Sequence, residues 1–131
     1  MIIHSAGTRP AQPGPGDYFT GDVTIMPLIS TPAPARLRGV SVRFAPGART
    51  AWHTHPLGQT IIITAGTGRV QRDGGEITQV QTGDVVYFEP GERHWHGATP
   101  DSEMTHIALQ EELDGTSVTW LEQVAGAEYD P

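Results

Sequence analysis

Short extended segments separated by Gly- and Pro-rich turns constrain the fold of this chain more than any other feature of its sequence. The 131 residues include 16 Gly and 11 Pro. Apolar or alternating segments recur between the turns, such as VTIMPLI (23–29), GVSVRFA (39–45), TIIIT (60–64) and DVVYFEP (84–90). No interior helix of three turns is indicated. Turn signals about every 8–12 residues predict an all-β sandwich or barrel.

A histidine-rich stretch lies within this pattern and reads GARTAWHTHPLGQTIIITAG (47–66). Residues two apart in a strand point to the same face and lie about 6.5–7 Å apart along the chain. The imidazoles of His53 and His55 can therefore converge on one metal ion. Gln59 has the same parity and is a third candidate ligand.

A second His-x-His pair occurs in GERHWHG, where His94 and His96 lie two residues apart. Either can supply a fourth metal ligand. His96 is also a candidate fifth ligand, a hydrogen-bonding partner of the ligands or an acid–base group. The alternative, that these imidazoles merely satisfy a polar core, is disfavoured because the pattern occurs twice.

Alternation along two other segments predicts the walls of a cavity. Val40, Val42 and Phe44 share one face and form either an apolar cavity wall or ordinary core packing. In EMTHIALQ (103–110), His106 and Gln110 share a face. His106 is then a general base or a satisfied core histidine, and Gln110 can hydrogen-bond a substrate. Parity or position permits either the cavity wall or a subunit interface for Trp52, Trp95 and Trp120.

Composition excludes several classes of protein. There is no Cys, which excludes disulfides and thiolate chemistry, and no Lys, which excludes a Schiff base. The net charge of −7 argues against nucleic acid as a partner. Without a signal peptide or an apolar run long enough to span a membrane, we expect a cytoplasmic protein with no membrane partner. Residues 1–20 are predicted to be an N-terminal arm, and residues 21–131 a single barrel domain.

The spacing of these residues resembles the two motifs of the cupin superfamily. The first, Gly-x5-His-x-His-x3-Glu-x6-Gly, matches Gly47, His53, His55, Gln59 and Gly66, with Gln59 in place of the usual Glu. The second, Gly-x5-Pro-x-Gly-x2-His-x3-Asn, matches Gly83, Gly91 and His94, with Glu89 in place of Pro and Ala98 in place of Asn. The resemblance implies a single-domain cupin, a small jelly-roll β-barrel.

Along the whole chain the sequence is similar to the bacterial cupin hydroxynitrile lyases, in AWHTHPLGQT, GDVVYFEPGERHWHGA and MTHIALQEELDG. That family implies Mn²⁺ held by three His and one Gln, which by motif are His53, His55, Gln59 and His94. Fe²⁺, Zn²⁺ or Ni²⁺ also suits nitrogen and oxygen ligands. Relatives of this kind are commonly oligomeric, so we expect a homo-oligomer, a dimer or a tetramer.

The resemblance implies reversible cleavage of aromatic cyanohydrins to an aldehyde and cyanide. His106 or His96 would then transfer the proton, with Val40, Val42, Phe44 and Gln110 around the substrate. Two alternatives remain at this point: a quercetinase-like non-haem dioxygenase, and a cupin that binds a small ligand without turnover.

Overall fold

The structure is a computed structural model that describes residues 1–131. It contains twelve β-strands and one short helix. The strands are β1 (Gln12–Pro13), β2 (Phe19–Thr20), β3 (Val23–Ser30), β4 (Leu37–Phe44), β5 (Arg49–Thr50), β6 (His53–Thr54), β7 (Gln59–Arg72), β8 (Thr78–Gln81), β9 (Val85–Phe88), β10 (His94–Ala98), β11 (Met104–Glu111) and β12 (Thr119–Trp120), and helix α1 is Gly126–Tyr129. The predicted all-β architecture is confirmed.

The strands form two sheets that share β7. Its first half pairs with β9 and β11, and β11 continues the sheet through β4, β3 and β1. The second half of β7 pairs with β8 and β10, and β10 continues through β5 and β6 to β2 and β12. All of these pairings are antiparallel. Because one 14-residue strand takes part in both sheets, they curl around a common interior.

The inner faces of the two sheets pack the hydrophobic core. Phe44, Ile61 and Met104 are fully buried at its centre. They alternate with outward-facing residues, as period-2 patterning requires. A smaller cluster of Trp52, Trp95, Val124 and Tyr129 packs the C-terminal segment against the outside of the barrel.

Gly74-Gly75 in the sequence is the signal of a two-residue hairpin loop between RVQRD and EITQV. The structure has a hairpin there, but its loop is longer than two residues. Strand β7 ends at Arg72 and β8 begins at Thr78. The backbone N–H of Asp73 donates to the carbonyl of Arg93 (2.8 Å), which takes residue 73 out of the ladder with β8. A contact with a residue distant in sequence, just before β10, therefore overrides the local turn signal.

The N-terminal segment carries two short strands. β1 pairs with β3 at the edge of one sheet, and β2 pairs with β5 in the other. Phe19 is buried in the main core, whereas Met1, Ile2 and Ile3 are largely exposed.

Candidate metal centre and active site

A cavity of about 290 Å³ opens between the two sheets. Strands β4 and β11 form one wall, through Val40, Val42 and Phe44 and through His106, Ala108 and Gln110. The remaining lining residues come from the histidine motifs and from segments near both chain ends: Pro15, Tyr18, Phe19, Ile25, Thr50, His53, His55, Gln59, His96, Ser117, Val118 and Trp120. The cavity is therefore mostly apolar, with its polar groups gathered at one place.

The structure places nine of the ten predicted site residues on this cavity. The tenth, His94, is fully buried beside it and stacks on Phe88 with ring centroids 3.7 Å apart. The polar residues of this set lie on or next to strands β6, β7, β10 and β11. Residues far apart in sequence therefore meet in one part of the barrel. Their individual roles stay predictions.

Backbone carbonyl groups fix the tautomers of three of the histidines. Each imidazole places its Nδ1 atom within hydrogen-bonding distance of one carbonyl oxygen. The pairs are His53 with Ala51 (2.9 Å), His55 with Ser117 (2.6 Å) and His94 with Glu92 (2.8 Å). Because a carbonyl oxygen can only accept, Nδ1 must carry the proton and Nε2 must present a lone pair. All three rings thus offer an unprotonated nitrogen, the form that binds a metal ion.

The contact between Gln59 and His94 brings two acceptors together. Gln59 Oε1 lies 3.2 Å from His94 Nε2, which has no proton to share. The amide orientation is set because Gln59 Nε2 donates to Gln110 Oε1 at 3.1 Å. His55 Nε2 is buried and has no hydrogen-bonding partner. His94 Nε2 and His55 Nε2 are therefore buried acceptors that receive no proton, which is costly, and a cation beside them removes that cost.

Distances between the rings also fit a single ion. The candidate ligand atoms of His53, His94 and His96 lie within 4.8 Å of one another. His55 is close as well, with its ring centroid 5.1 Å from that of His53. A buried set of imidazoles and one amide oxygen suits a divalent transition metal, and these residues therefore fit such an ion.

His96 differs from the other three because its Nδ1 atom faces another side chain. His106 Nε2 lies 2.9 Å from His96 Nδ1, and His96 Nε2 lies 3.2 Å from Gln59 Oε1. Since the amide oxygen accepts, His96 Nε2 carries the proton and His96 Nδ1 accepts from His106 Nε2–H. The buried Nδ1 of His106, which has no partner, is then an unprotonated lone pair. These tautomers are assigned from the hydrogen-bond network.

Burial keeps the whole cluster neutral. Desolvation lowers the pKa of His94 to about 3 and the pKa of His106 to about 3. Desolvation, reinforced by neighbouring imidazoles, holds the pKa of His53 and that of His96 well below 6.5. Desolvation also lowers the pKa of His55. At neutral pH the imidazoles are therefore unprotonated and can bind a metal ion.

Several contributors to the site carried no clear sequence signal. The carbonyl of Ser117 orients His55 from a segment with no motif. Trp120 lies 4.8 Å from His53, ring centroid to ring centroid, and stacks on Tyr18 at 4.7 Å. Of the three tryptophans, only Trp120 lines the cavity, whereas Trp52 and Trp95 belong to the small outer cluster. The cavity wall, one of the two positions expected, is correct for Trp120, whereas Trp52 and Trp95 lie neither there nor at a subunit interface, because both are buried within the chain.

Comparison with protein families finds a match to the cupin domain over residues 40–109. A (R)-mandelonitrile lyase of Granulicella tundricola is 56% identical over 129 residues, which cover 98% of each chain. Both matches include the histidine stretch, the second His-x-His pair and His106.

Solved structures with the same fold include a cupin-like protein from Thermotoga maritima. It is 37% identical, with a TM-score of 0.85, and the match covers 98% of this chain and 95% of that one. A polyketide cyclase from Streptomyces resistomycificus has a TM-score of 0.71 at 19% identity, over 99% and 91% of the two chains, and shows the fold alone. No helix in the structure has the length and apolarity needed to cross a membrane.

Proposed function

This chain belongs to the cupin family, and on that premise we propose that it is a metal-dependent hydroxynitrile lyase that cleaves aromatic cyanohydrins such as mandelonitrile to an aldehyde and hydrogen cyanide. One observation carries the proposal: three unprotonated imidazole nitrogens and an amide oxygen converge beside a neutral histidine pair at the end of an apolar cavity. The near-full-length similarity to a (R)-mandelonitrile lyase supports the same reaction.

The residues that would hold the ion are His53, His55, Gln59 and His94, and the metal that we propose is Mn²⁺. The three histidines are those whose Nδ1–H groups donate to backbone carbonyls, and Gln59 directs its oxygen at them. His96 is close enough to the others to be a further ligand, but we assign it to proton transfer because its Nδ1 contacts His106 and not a backbone carbonyl. With no carboxylate among these ligands, a bound dication would keep its full charge and would supply a Lewis acid able to lower the pKa of a substrate hydroxyl.

The neutral histidine pair provides the proton transfer. The unprotonated Nδ1 of His106 accepts the proton of the cyanohydrin hydroxyl. The electron pair of the bond between the carbinol and nitrile carbons leaves with cyanide, and the carbinol carbon becomes the aldehyde carbonyl. Cyanide then takes the proton from the imidazolium to give hydrogen cyanide, which restores the neutral pair. The hydrogen bond to His96 holds the His106 ring in place and shares the transient charge.

The walls of the cavity fit an aromatic substituent. Val40, Val42 and Phe44 are apolar and pack beside the histidine pair, with the Phe44 ring centroid 5.3 Å from that of His106. Gln110 accepts a hydrogen bond from Gln59 through its oxygen, so its amide N–H groups are free to donate to the nitrile nitrogen. The aryl ring and the polar end of the substrate thus meet different parts of the wall.

The decisive experiment is a cleavage assay on protein stripped of metal and reloaded with Mn²⁺, Fe²⁺, Zn²⁺ or Ni²⁺ in turn. We expect the formation of benzaldehyde from mandelonitrile to need a metal, with Mn²⁺ the most effective, and to consume no oxygen. Oxygen uptake with phenolic substrates, or benzaldehyde formation at the same rate without metal, would contradict the proposal.

A further inference from the structure

Residues 117–129 run from the candidate metal centre to the small outer cluster of the barrel. We call these residues the C-terminal strap. The strap contains only β12, which has two residues, and α1, which has four. Elements this short have little stability of their own, so tertiary contacts must set the position of the strap. Its contacts form two groups, one at the histidines of the metal centre and one at Arg49 on β5.

The first group of contacts holds the strand that carries a proposed ligand. Strand β6 has only two residues and lies between β10 and β12, with Trp120 of β12 directly opposite His53. The N–H of Leu121 donates to the carbonyl of Trp52 (2.8 Å), and the N–H of Trp52 donates to the carbonyl of Glu122 (2.9 Å). On one of its two sides, β6 therefore depends on the strap for its strand pairing.

The strap also contacts two of the imidazoles directly. The carbonyl of Ser117 accepts the hydrogen bond from His55 Nδ1 (2.6 Å), and the ring of Trp120 lies 4.8 Å from that of His53, centroid to centroid. A carbonyl bonded to Nδ1 fixes the direction in which Nε2 points. A shift of the strap would therefore remove the partner that orients His55 and the ring that packs on His53.

The second group of contacts, made by Arg49 and Tyr129, fixes the other end of the strap. The guanidinium of Arg49 donates to the carbonyl of Val124 through Nε (3.1 Å) and Nη2 (2.8 Å). It also lies over the ring of Tyr129, 4.5 Å from the ring centroid. Tyr129 is buried, and its hydroxyl donates to the carbonyl of Ala98 in β10 (2.5 Å). Charge-assisted hydrogen bonds and a buried aromatic ring are strong contacts, so these two residues fasten the strap to the barrel.

From these contacts we infer that Tyr129 and Arg49 are positioning residues of the metal centre, although neither lines the cavity. They hold the strap, and the strap holds β6 together with the groups that contact His53 and His55. The inference rests on the ligands proposed above. It means that a change at Tyr129 lowers the affinity for the metal without altering any ligand.

The test is the dissociation constant for Mn²⁺ of Tyr129→Ala, measured by competition with a chelator under conditions where every variant is folded. The substitution removes the ring beneath Arg49 and the hydrogen bond to Ala98. We expect the dissociation constant to rise by about 10-fold, the lower end of the effect of losing a group that orients a ligand. Tyr129→Phe keeps the ring and loses only the hydroxyl, so its affinity should lie between those of the wild type and Tyr129→Ala.

Val80→Ala is the control for a general loss of stability. Val80 is buried in the main core on β8 and does not line the cavity. Its truncation leaves a hole that lowers the free energy of unfolding, but the affinity for Mn²⁺ should equal that of the wild type. Wild-type affinity in Tyr129→Ala, or an equal loss of affinity in Val80→Ala, would overturn the inference.

A second measurement needs no metal. The N–H of Trp52 donates to the carbonyl of Glu122, so hydrogen exchange of this amide in the metal-free protein reports whether the strap is attached. We expect exchange about 10-fold faster in Tyr129→Ala than in Val80→Ala, because only the former frees the strap. Equal rates in the two variants would also overturn the inference. A wild-type protein that bound no Mn²⁺ would instead refute the proposed ligands, and the exchange rates would still decide whether Tyr129 holds the strap.

Discussion

At the scale of single residues, the Nδ1 partner of each imidazole distinguishes the proposed ligands from the proton-transfer pair. His55 donates to the carbonyl of Ser117, whereas His96 is bonded to His106. We expect His55→Ala to lose most of the bound metal and His96→Ala to keep it. Metal stoichiometry of the two purified variants is the measurement. Full metal content in His55→Ala together with loss in His96→Ala would assign the ligand to His96 instead.

Gln59 allows the charge of the ligand set to be changed at one position. Gln59→Glu keeps the size of the side chain and adds a negative charge, so metal should bind at least as tightly. The ion becomes a weaker Lewis acid, and mandelonitrile cleavage should fall, since the charge available to stabilise the substrate oxygen is reduced. Metal affinity and turnover are measured on the same preparations. A rate equal to that of the wild type would show that ligand charge does not limit the reaction.

His106 is expected to matter for turnover but not for metal binding. It is fully buried, and its Nδ1 atom has no partner. His106→Ala should reduce mandelonitrile cleavage by about 100-fold or more, the usual scale for the loss of acid–base assistance, while the metal content stays unchanged. If the variant turned over normally with full metal, the proton would have to be transferred by His96 or by another group.

At the scale of elements, the loop between β11 and β12 supports the site through its backbone. Its turn contains Asp114 and Gly115 with positive φ angles of 52° and 81°, and Ser117 follows two residues later. Gly115→Val should cost about 1–2 kcal/mol of stability, because a β-branched residue is strained there. It should also weaken metal binding, because it displaces the carbonyl that orients His55.

A matched control separates these two effects. Gly74 has a φ of 75° and open space around it, but it lies in the loop between β7 and β8. Gly74→Val should lose a similar amount of stability and bind metal normally. Thermal unfolding and metal titration of both variants check the prediction, and equal metal affinities would remove the proposed role of the β11–β12 loop.

How much of the site could be predicted from the sequence depends on whether a feature is set within one strand or by contacts between distant segments. Period-2 alternation placed Val40, Val42 and Phe44, and likewise His106 with Gln110, on the cavity side of their strands, because the register of a strand fixes which face each side chain takes. The contact between His96 and His106 could not be predicted, since parity does not say which strands face each other across a barrel. The role of the Ser117 carbonyl could not be predicted either, because every residue type carries the same backbone acceptor.

At the scale of the whole molecule, the neutral histidine cluster makes stability depend on pH. In the metal-free protein His94 and His106 have pKa values of about 3, against about 6.5 for histidine in an unfolded chain. Between these values the unfolded chain holds protons that the folded protein does not. Stability is therefore fully present above about pH 6.5 and is lost as pH falls towards 3, by up to about 1.4 kcal/mol per pH unit for each such histidine.

Denaturant unfolding of the metal-free protein at about pH 7 and about pH 5 measures this dependence. We expect an uptake of at least two protons on unfolding at the lower pH. His106→Gln removes one of the histidines responsible and should reduce the uptake by about one proton. A free energy of unfolding that does not change over this range would show that the imidazoles are not held neutral by the fold.

The part of the cavity lining that comes from near the two chain ends has a consequence for how a protein of this kind can diversify. Pro15 and Tyr18 precede the main strands of the barrel, and Val118 and Trp120 follow them. Substitutions at Pro15, Tyr18 and Val118 can reshape the lining while the register of β4, β7, β10 and β11 stays intact. Relatives with different substrate ranges should therefore differ at these positions, whereas Trp120, which contacts His53, and Ser117, which orients His55, should vary less.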